Sequence, residues 1–361
     1  MQLKILYMIH PVRFIRHASD ALKTLLYSRW NDYSQVVVLT DKNTSKYCLT
    51  HFRNTFVNRD FIHLELPGLS EKTKNLQSVE YIINELMDAN SGRQTAIIAL
   101  GGGVVTDTAG FAASIYKRGL HLYLIPTTLL GMVDAALGGK TGVNFNGIKN
   151  QVGSFYFPRE VIIDPGYLAT LPRREWESGY AEMIKHGLIA DYAYFEQLIY
   201  RLASGKMTDK LYEHIIRSVE IKMRIIQSDF RESGKRKILN FGHTVGHALE
   251  ACAWQNGIPL SHGYAVALGM AVETALSVEF AGLEKAVSRK INRRLLEVYP
   301  VPGDINGTIT DCVLEAMKHD KKNSGGEPLF VLLRAPGMPV CNKKIPESKI
   351  REAIKHTLFS V

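Results

Sequence analysis

The chain has 361 residues, 46% hydrophobic and 22% charged, with 13 prolines and no low-complexity tract, which excludes disordered, collagen-like and disulfide-scaffold proteins and leaves room for two ordinary domains. Forty-four Lys plus Arg against 35 Asp plus Glu leave a net charge of +9. The basic doublets Arg173-Arg174, Arg293-Arg294, Lys321-Lys322 and Lys343-Lys344 are scattered rather than gathered into an arm, so the charge points to small anionic ligands and not to nucleic acid.

Residues 5–9 form an apolar run too short for a signal peptide. Residues 36–39 and 96–100 are continuous apolar runs, each ending in a polar or glycine turn, the signature of parallel strands buried on both faces. The runs 121–125 and 161–163 repeat that pattern, and apolar residues at helical spacing fill 79–87 and 108–116, so the first half predicts alternating α/β structure. Beyond Pro165 the texture changes. Stretches 176–190, 211–226, 245–253 and 264–281 all carry helical spacing and strand-like runs nearly vanish, which predicts a helical domain with its boundary near 165–171. The longest uncharged stretch, 251–272, is interrupted by Gln255, Asn256, Pro259, Ser261 and His262, so no membrane span and a cytoplasmic location are expected. Cys48, Cys252, Cys312 and Cys341 are far apart, with no CxxC pair, and predict buried thiols in a reducing compartment.

Five segments carry candidate chemistry. Gly101-Gly102-Gly103 follows a buried strand directly; residues without Cβ there let backbone NH groups come close to a pyrophosphate, although a plain tight turn has the same composition. Asp41, at the end of the 36–39 strand, is the residue type that accepts hydrogen bonds from ribose hydroxyls and is also common in turns. Gly138-Gly139-Lys140-Thr141 has the tail of a P-loop, but Asp134 stands where the first glycine is required, so that motif fails. What remains is a lysine in a glycine-rich turn, a clamp for a phosphate or a hydroxyl-rich ligand. His243 and His247 lie four apart, on one helical face, and His262 follows in Ser261-His262-Gly263, a set that suits a metal. A zinc protease would need HExxH, and Thr244 occupies the glutamate's place. Glu182 has Lys185 and His186 at i+3 and i+4, so spacing alone nominates Glu182 and His186 as a ligand pair.

These segments follow one another as in a known family. Ser70-Glu71-Lys72-Thr73-Lys74, the 101–107 run, Arg118-Gly119, Pro126-Thr127-Thr128-Leu129-Leu130, the 138–141 turn and Lys149-Asn150 occur in order. Ala181-Glu182-x-x-Lys185, Leu239-Asn240-Phe241-Gly242-His243-x-x-Gly246-His247, His262-Gly263 and Asp320-Lys321-Lys322-Asn323 complete the series. In this the chain resembles the 3-dehydroquinate synthases from about Thr40 to Pro339.

The resemblance implies an α/β Rossmann-like NAD-binding domain over residues 1–166 and an all-α metal- and substrate-binding domain over 167–361. It implies Glu182, His243 and His262 as ligands of Zn2+ or Co2+, overruling His186 and leaving His247 to meet substrate. Implied NAD contacts are Asp41, Asn43, Leu69, Ser70, Glu71, Lys72, Thr73, Lys74, Gly103, Val104, Val105, Thr106, Asp107, Thr127, Thr128, Lys140, Lys149, Tyr167, Leu168, Ala169 and Thr170. The implied substrate, 3-deoxy-D-arabino-heptulosonate 7-phosphate, carries a carboxylate and a phosphate. Lys222 and Arg236 would hold the former. Lys140, Asn150, His247, Lys321 and Lys322 would surround the latter, with Arg118 reaching in from the partner in a homodimer. Asp134, Lys185 and Asn240 would bind the hydroxyl-bearing carbons.

The implied reaction belongs to the shikimate pathway of aromatic amino acid biosynthesis: transient NAD-dependent oxidation, β-elimination of phosphate, reduction, ring opening and intramolecular aldol closure. Thr106 and Ser70 stand where the family usually has glycine, and Tyr264 where glutamate often follows His-Gly, so altered NAD affinity and a looser metal site are expected. The alternative is a related sugar-phosphate cyclase making a deoxyinosose or valiolone skeleton; Asp107, 139–141, Asn150, Lys185, Lys222 and Arg236 keep the dehydroquinate pattern.

Overall fold

The computed structural model describes residues 10–146, 148–319 and 328–359; Lys321 and Lys322 lie outside them. The chain divides into two compact units, Met1–Pro172 and Arg173–Val361. The division falls beyond 166 because the 3-10 turn Pro165–Thr170 belongs to the first unit. Asp164 accepts the Gly166 N–H and an N–H from His51 Nε2 (2.8 and 2.7 Å), and the Tyr167 ring packs edge-on against His51.

The first unit contains β1 (Val12–Phe14), α1 (Leu25–Ser28), β2 (Gln35–Asp41), α2 (Lys42–Thr55), β3 (Ile62–Leu66), α3 (Leu76–Asp88), β4 (Thr95–Gly101), α4 (Gly103–Ile115), β5 (His121–Pro126), β6 (Lys140–Phe145), β7 (Ile148–Phe155) and β8 (Glu160–Ile163). Among the described residues, six strands form a parallel sheet in the order β1-β8-β5-β4-β2-β3, while β6 and β7 pair as a separate antiparallel hairpin. The apolar runs are strands for the reason their composition suggests: Val37, Val38, Ile97 and Ile98 are buried, covered on both faces of the sheet. The strand order reverses at β2 and β4. β3 lies on one side of that pair, β5 and β8 on the other, and in open α/β sheets ligands settle beyond the carboxyl ends of strands at such a reversal.

The second unit contains α5 (Arg173–Ala190), α6 (Tyr192–Ala203), α7 (Leu211–Ser228), α8 (His243–Gln255), α9 (His262–Ala281), α10 (Lys285–Val298), α11 (Ile309–His319), β9 (Leu329–Ala335), β10 (Met338–Lys344) and α12 (Glu347–Ile354). At its centre α9 is buried almost all round and packs on α5, α8, α10 and β9. Its length and apolarity would suffice for a membrane span, but most of that surface faces protein.

Two expectations need correction. The second unit is not all-α, because β9 and β10 form an antiparallel hairpin. A short apolar run such as Leu329–Ala335 cannot be told from a buried helix segment by periodicity. Nor are the cysteines four separate thiols. Cys252 on α8 and Cys312 on α11 form a disulfide, since those helices pack together despite a separation of 60 residues; Cys48 and Cys341 are free.

Candidate active site

In the first unit, β2 and β4 run side by side with Leu39 opposite Ala99, so Asp41 and the glycine turn emerge next to each other at the reversal. Asp41 Oδ1 accepts the Thr44 N–H (2.7 Å) and caps α2, with Asn43 exposed in its first turn. The turn 101–103 delivers the N-terminus of α4, where the amides of Gly103, Val104 and Val105 open an anion-binding helix end. None of these three glycines needs a positive φ. Their lack of Cβ is a matter of close packing: a methyl at Gly101 would lie 2.5 Å from Val105 Cβ, and one at Gly102 3.0 Å from Thr128 Cγ2. Thr127 N–H donates to Gly101 O (3.0 Å), which joins the end of β5 to the same turn.

Lys74 ties the remaining parts of this half together. Its buried ammonium donates to Asp107 Oδ2 (2.6 Å) on α4 and to Asn150 Oδ1 (2.8 Å) on β7. Burial pushes the Asp107 carboxyl up, and the Lys74 ammonium opposes that shift. Asn144, which no sequence motif singled out, fastens the 69–74 loop to the hairpin. It donates to Glu71 O and Oε1 (2.9 Å each), its N–H reaches Lys74 O (2.8 Å), and its Oδ1 accepts the Asn150 N–H (2.9 Å). Leu69, Lys72 and Thr73 lie in the same loop, Asp134 in the turn Gly131–Ala135, and Lys140 and Lys149 are exposed on the hairpin. Thr128 Oγ1 accepts the Gly131 N–H (3.0 Å). Tyr167 and Leu168 are core residues, leaving Ala169 and Thr170 exposed. Arg118 stands apart. It follows the C-terminal end of α4, whose 13 residues put it about 20 Å from Gly103.

In the second unit, glycines bring three helices close. A methyl at Gly263 on α9 would lie 2.7 Å from the Ser178 carbonyl carbon on α5, and one at Gly269 2.7 Å from Gly246 N on α8. Glu182 on α5, His243 at the start of α8 and His262 at the start of α9 converge as a result. His243 Nε2 and His262 Nε2 lie 3.6 and 3.7 Å from Glu182 Oε1, which is 0% exposed. Both rings are held from behind: Nδ1 of His243 donates to Phe241 O and Nδ1 of His262 to Glu250 Oε2, each at 3.1 Å. The His247 ring sits 5.0 Å from that of His243 and 5.6 Å from that of His262. Lys185, nearly fully buried, forms an ion pair with Glu182 Oε2. Burial opposes ionisation of Glu182, but the Lys185 ammonium and the two imidazoles outweigh it and hold the carboxyl well below its usual range. For His262 burial opposes protonation, and the Glu182 and Glu250 carboxylates raise it to about 9.

His186 turns its Nδ1 to Ser218 Oγ (2.6 Å) in the α5–α7 interface, while a ring nitrogen lies within 4.8 Å of a Glu182 carboxylate oxygen. Lys222 on α7 and Arg236 in the 3-10 turn Lys235–Asn240 are both buried cations. Arg236 Nη1 donates to Phe230 O (2.8 Å), and Asn240 Nδ2 to Glu232 Oε1 (2.7 Å).

Residues 65–178 match the family pattern described as 3-dehydroquinate synthase N-terminal, and residues 179–323 the one described as 3-dehydroquinate synthase C-terminal. A 3-dehydroquinate synthase of Parabacteroides distasonis is 38% identical over 324 residues, covering 89% of this chain and 91% of its own. That of Methylacidiphilum infernorum is 43% identical over 297 residues, covering 82% and 80%. The chain belongs to the 3-dehydroquinate synthase family.

Among solved structures, a 2-deoxy-scyllo-inosose synthase complexed with carbaglucose-6-phosphate, NAD+ and Co2+ is similar at a TM-score of 0.84 and 26% identity, with 96% of each chain covered. The 2-epi-5-epi-valiolone synthase of Streptomyces hygroscopicus subsp. jinggangensis, with NAD+ and Zn2+ bound, gives 0.81 and 27%, also with 96% of each chain covered.

The three departures from the pattern of 3-dehydroquinate synthases have local explanations. Ser70 has no positive φ, and its N–H donates to Thr73 Oγ1 (2.8 Å), so a side chain there causes no backbone strain. Thr106 is buried and its hydroxyl donates to Gly103 O (3.1 Å) within the first turn of α4. Tyr264 donates to Pro300 O (2.6 Å), and the carboxylate behind His262 comes from Glu250 on α8 instead. Sequence reasoning missed Glu250, whose position seven residues after His243 puts it on the same helical face.

Proposed function

We propose that the chain converts 3-deoxy-D-arabino-heptulosonate 7-phosphate to 3-dehydroquinate and phosphate, with NAD and a divalent cation as cofactors. The observation that carries this is the convergence of His243 and His262 on the buried Glu182 carboxylate in a member of this family. The donor set fits zinc or cobalt. Four ligands at about 2.0–2.1 Å around a tetrahedral ion stand about 3.3 Å apart, within a few tenths of an ångström of the separations found here. When bound, the ion supplies Lewis-acid polarisation of substrate oxygens and NAD supplies a reversible hydride acceptor.

The protein's own groups do the rest. Glu250 and Phe241 O fix the tautomers of His262 and His243. Lys185 keeps Glu182 ionised. Lys222 and Arg236, cations with little access to water, bind the substrate carboxylate, while Lys140, Asn150 and His247 meet the phosphate and Asp134 and Asn240 the hydroxyls. The α4 amides receive the pyrophosphate of NAD, and Asp41 lies at the strand end suited to a ribose. The substrate's own phosphate removes the C6 proton as it leaves. Arg118, remote from the glycine turn along α4, acts as Arg118 of the partner subunit in a homodimer.

His243→Ala is expected to lose zinc and phosphate release together while keeping NAD affinity; stoichiometric zinc in that variant would refute the ligand set. Two of the similar solved structures are a 2-deoxy-scyllo-inosose synthase and a 2-epi-5-epi-valiolone synthase, so the wild type is assayed on a panel. Phosphate release from sedoheptulose 7-phosphate or glucose 6-phosphate, without release from the heptulosonate, would overturn the substrate.

A further inference from the structure

Glu273 is a fully buried carboxylate in the middle of α9, the helix that begins with His262. Among the described residues no lysine, arginine or histidine pairs with it. Its oxygens instead accept the N–H groups of Gly242 (2.6 Å) and Val245 (3.3 Å), with the Thr244 amide adding to the set. Those are the first-turn amides of α8, which lack partners within their own helix and carry the positive end of its dipole.

An ordinary helix would cap this end with the side chain of its N-cap residue. Here that residue is Gly242, at φ +80, where a Cβ would meet Val266 O at 2.8 Å. No side chain fits, and the cap is supplied from the neighbouring helix. Burial pushes the Glu273 carboxyl up to about 8 while the backbone amides hold it down. A carboxyl buried at such a position is costly unless it is hydrogen-bonded, so its presence marks a specific attachment. The attachment is at the residue before His243, and it comes from the helix that supplies His262.

We propose that Glu273 is a positioning residue, whose carboxylate clamps the first turn of α8 to α9 and so sets the His243 imidazole against His262 and Glu182. This rests on the metal reading given above. In Glu273→Gln one oxygen becomes an NH2 group facing amide donors, so part of the clamp is lost with little change of volume.

The variant is expected to fold by circular dichroism and to keep wild-type NAD affinity. Its zinc affinity falls about 10- to 100-fold in chelator competition, and its Co2+-loaded form shows shifted d–d bands. Ile291→Ala, a core truncation on α10, is the control for simple destabilisation and keeps the wild-type cobalt spectrum. Wild-type zinc affinity and cobalt spectrum in Glu273→Gln, or an equal spectral change in Ile291→Ala, would overturn the proposal. Should Glu273→Gln not fold, Glu273→Asp withdraws the carboxylate by one methylene; unchanged zinc affinity there overturns it equally. A wild type that takes up no stoichiometric zinc would fell the metal reading and this inference with it, whereas a metal-replete wild type with an unaffected variant fells only the inference.

Discussion

Gly269→Ala tests whether backbone contact between helices sets the ligand geometry. The added Cβ would lie 2.7 Å from Gly246 N and closer still to Gly242 O. Carbon contacts settle at about 3.5 Å, so α8 and α9 must part by roughly 0.8 Å at Gly246 and roughly 1.4 Å at Gly242. Two effects on stability oppose each other. Alanine improves helix propensity by about 1 kcal/mol, and overpacking costs about 1–3 kcal/mol. The net loss is therefore about 0–2 kcal/mol, a fall in Tm of only a few degrees. The metal site is less forgiving, because metal–ligand distances tolerate about 0.2 Å. A displacement several times larger, acting on the helix that carries His243 relative to the one that carries His262, is expected to weaken zinc at least about 100-fold, or roughly 2.7 kcal/mol. Chelator competition and thermal unfolding measure the two effects separately. Gly303→Ala, where a methyl meets nothing within 4 Å, is the control and changes neither. Zinc affinity in Gly269→Ala within about threefold of wild type would refute the reasoning, whatever the Tm.

Glu250→Ala removes the acceptor behind His262 Nδ1 and is expected to cost about 10- to 100-fold in zinc affinity, read by the same competition; an unchanged value would mean that the imidazole needs no such support. Lys74→Met leaves Asp107 and Asn150 without their shared donor, and chemical denaturation should register a loss of about 3 kcal/mol, at the lower end for a broken ion pair because Asp107 keeps some contact with water. Unaltered stability would show that the triad is not a structural tie. The buried His10 accepts the Gly138 N–H at Nε2 (3.3 Å), and burial lowers its pKa from 6.5 to about 4. The unfolded chain then binds more protons between those values, so stability is full above pH 6.5 and declines as pH falls toward 4. His10→Asn should flatten that part of the pH–stability curve, and an identical slope in the variant would remove His10 as its cause.

What could be read without coordinates follows from the range over which each signal acts. The strands at 36–39 and 96–100 were legible because a strand covered on both faces must be apolar at every position. Asp41 and Gly101 were each ambiguous alone. What brings them together is the pairing of β2 with β4, a contact between segments some sixty residues apart that no local pattern encodes. His186 shows the converse. Within α5 it is spaced from Glu182 as a ligand would be, and a ring nitrogen lies within 4.8 Å of a Glu182 carboxylate oxygen; its Nδ1 nevertheless turns to Ser218 on α7, because periodicity gives the face of a helix but not everything that face meets.

Carboxylates inside apolar stretches mark where such reading could be extended. Glu273 sits among Ala271, Val272, Thr274 and Leu276, and hydrophobic patterning treats it as an interruption of a core helix. An ionisable group in that setting is stable only if something answers it, so its position already states that a partner exists while withholding which one. The partner turns out to be a set of backbone amides, which have no sequence signature of their own. The nearest visible clue was Gly242, a helix start with no capping side chain at the point where one is usually placed. A carboxylate without an evident partner and a helix end without an evident cap are two deficits of opposite sign, and it is the packing of α9 on α8 that joins them.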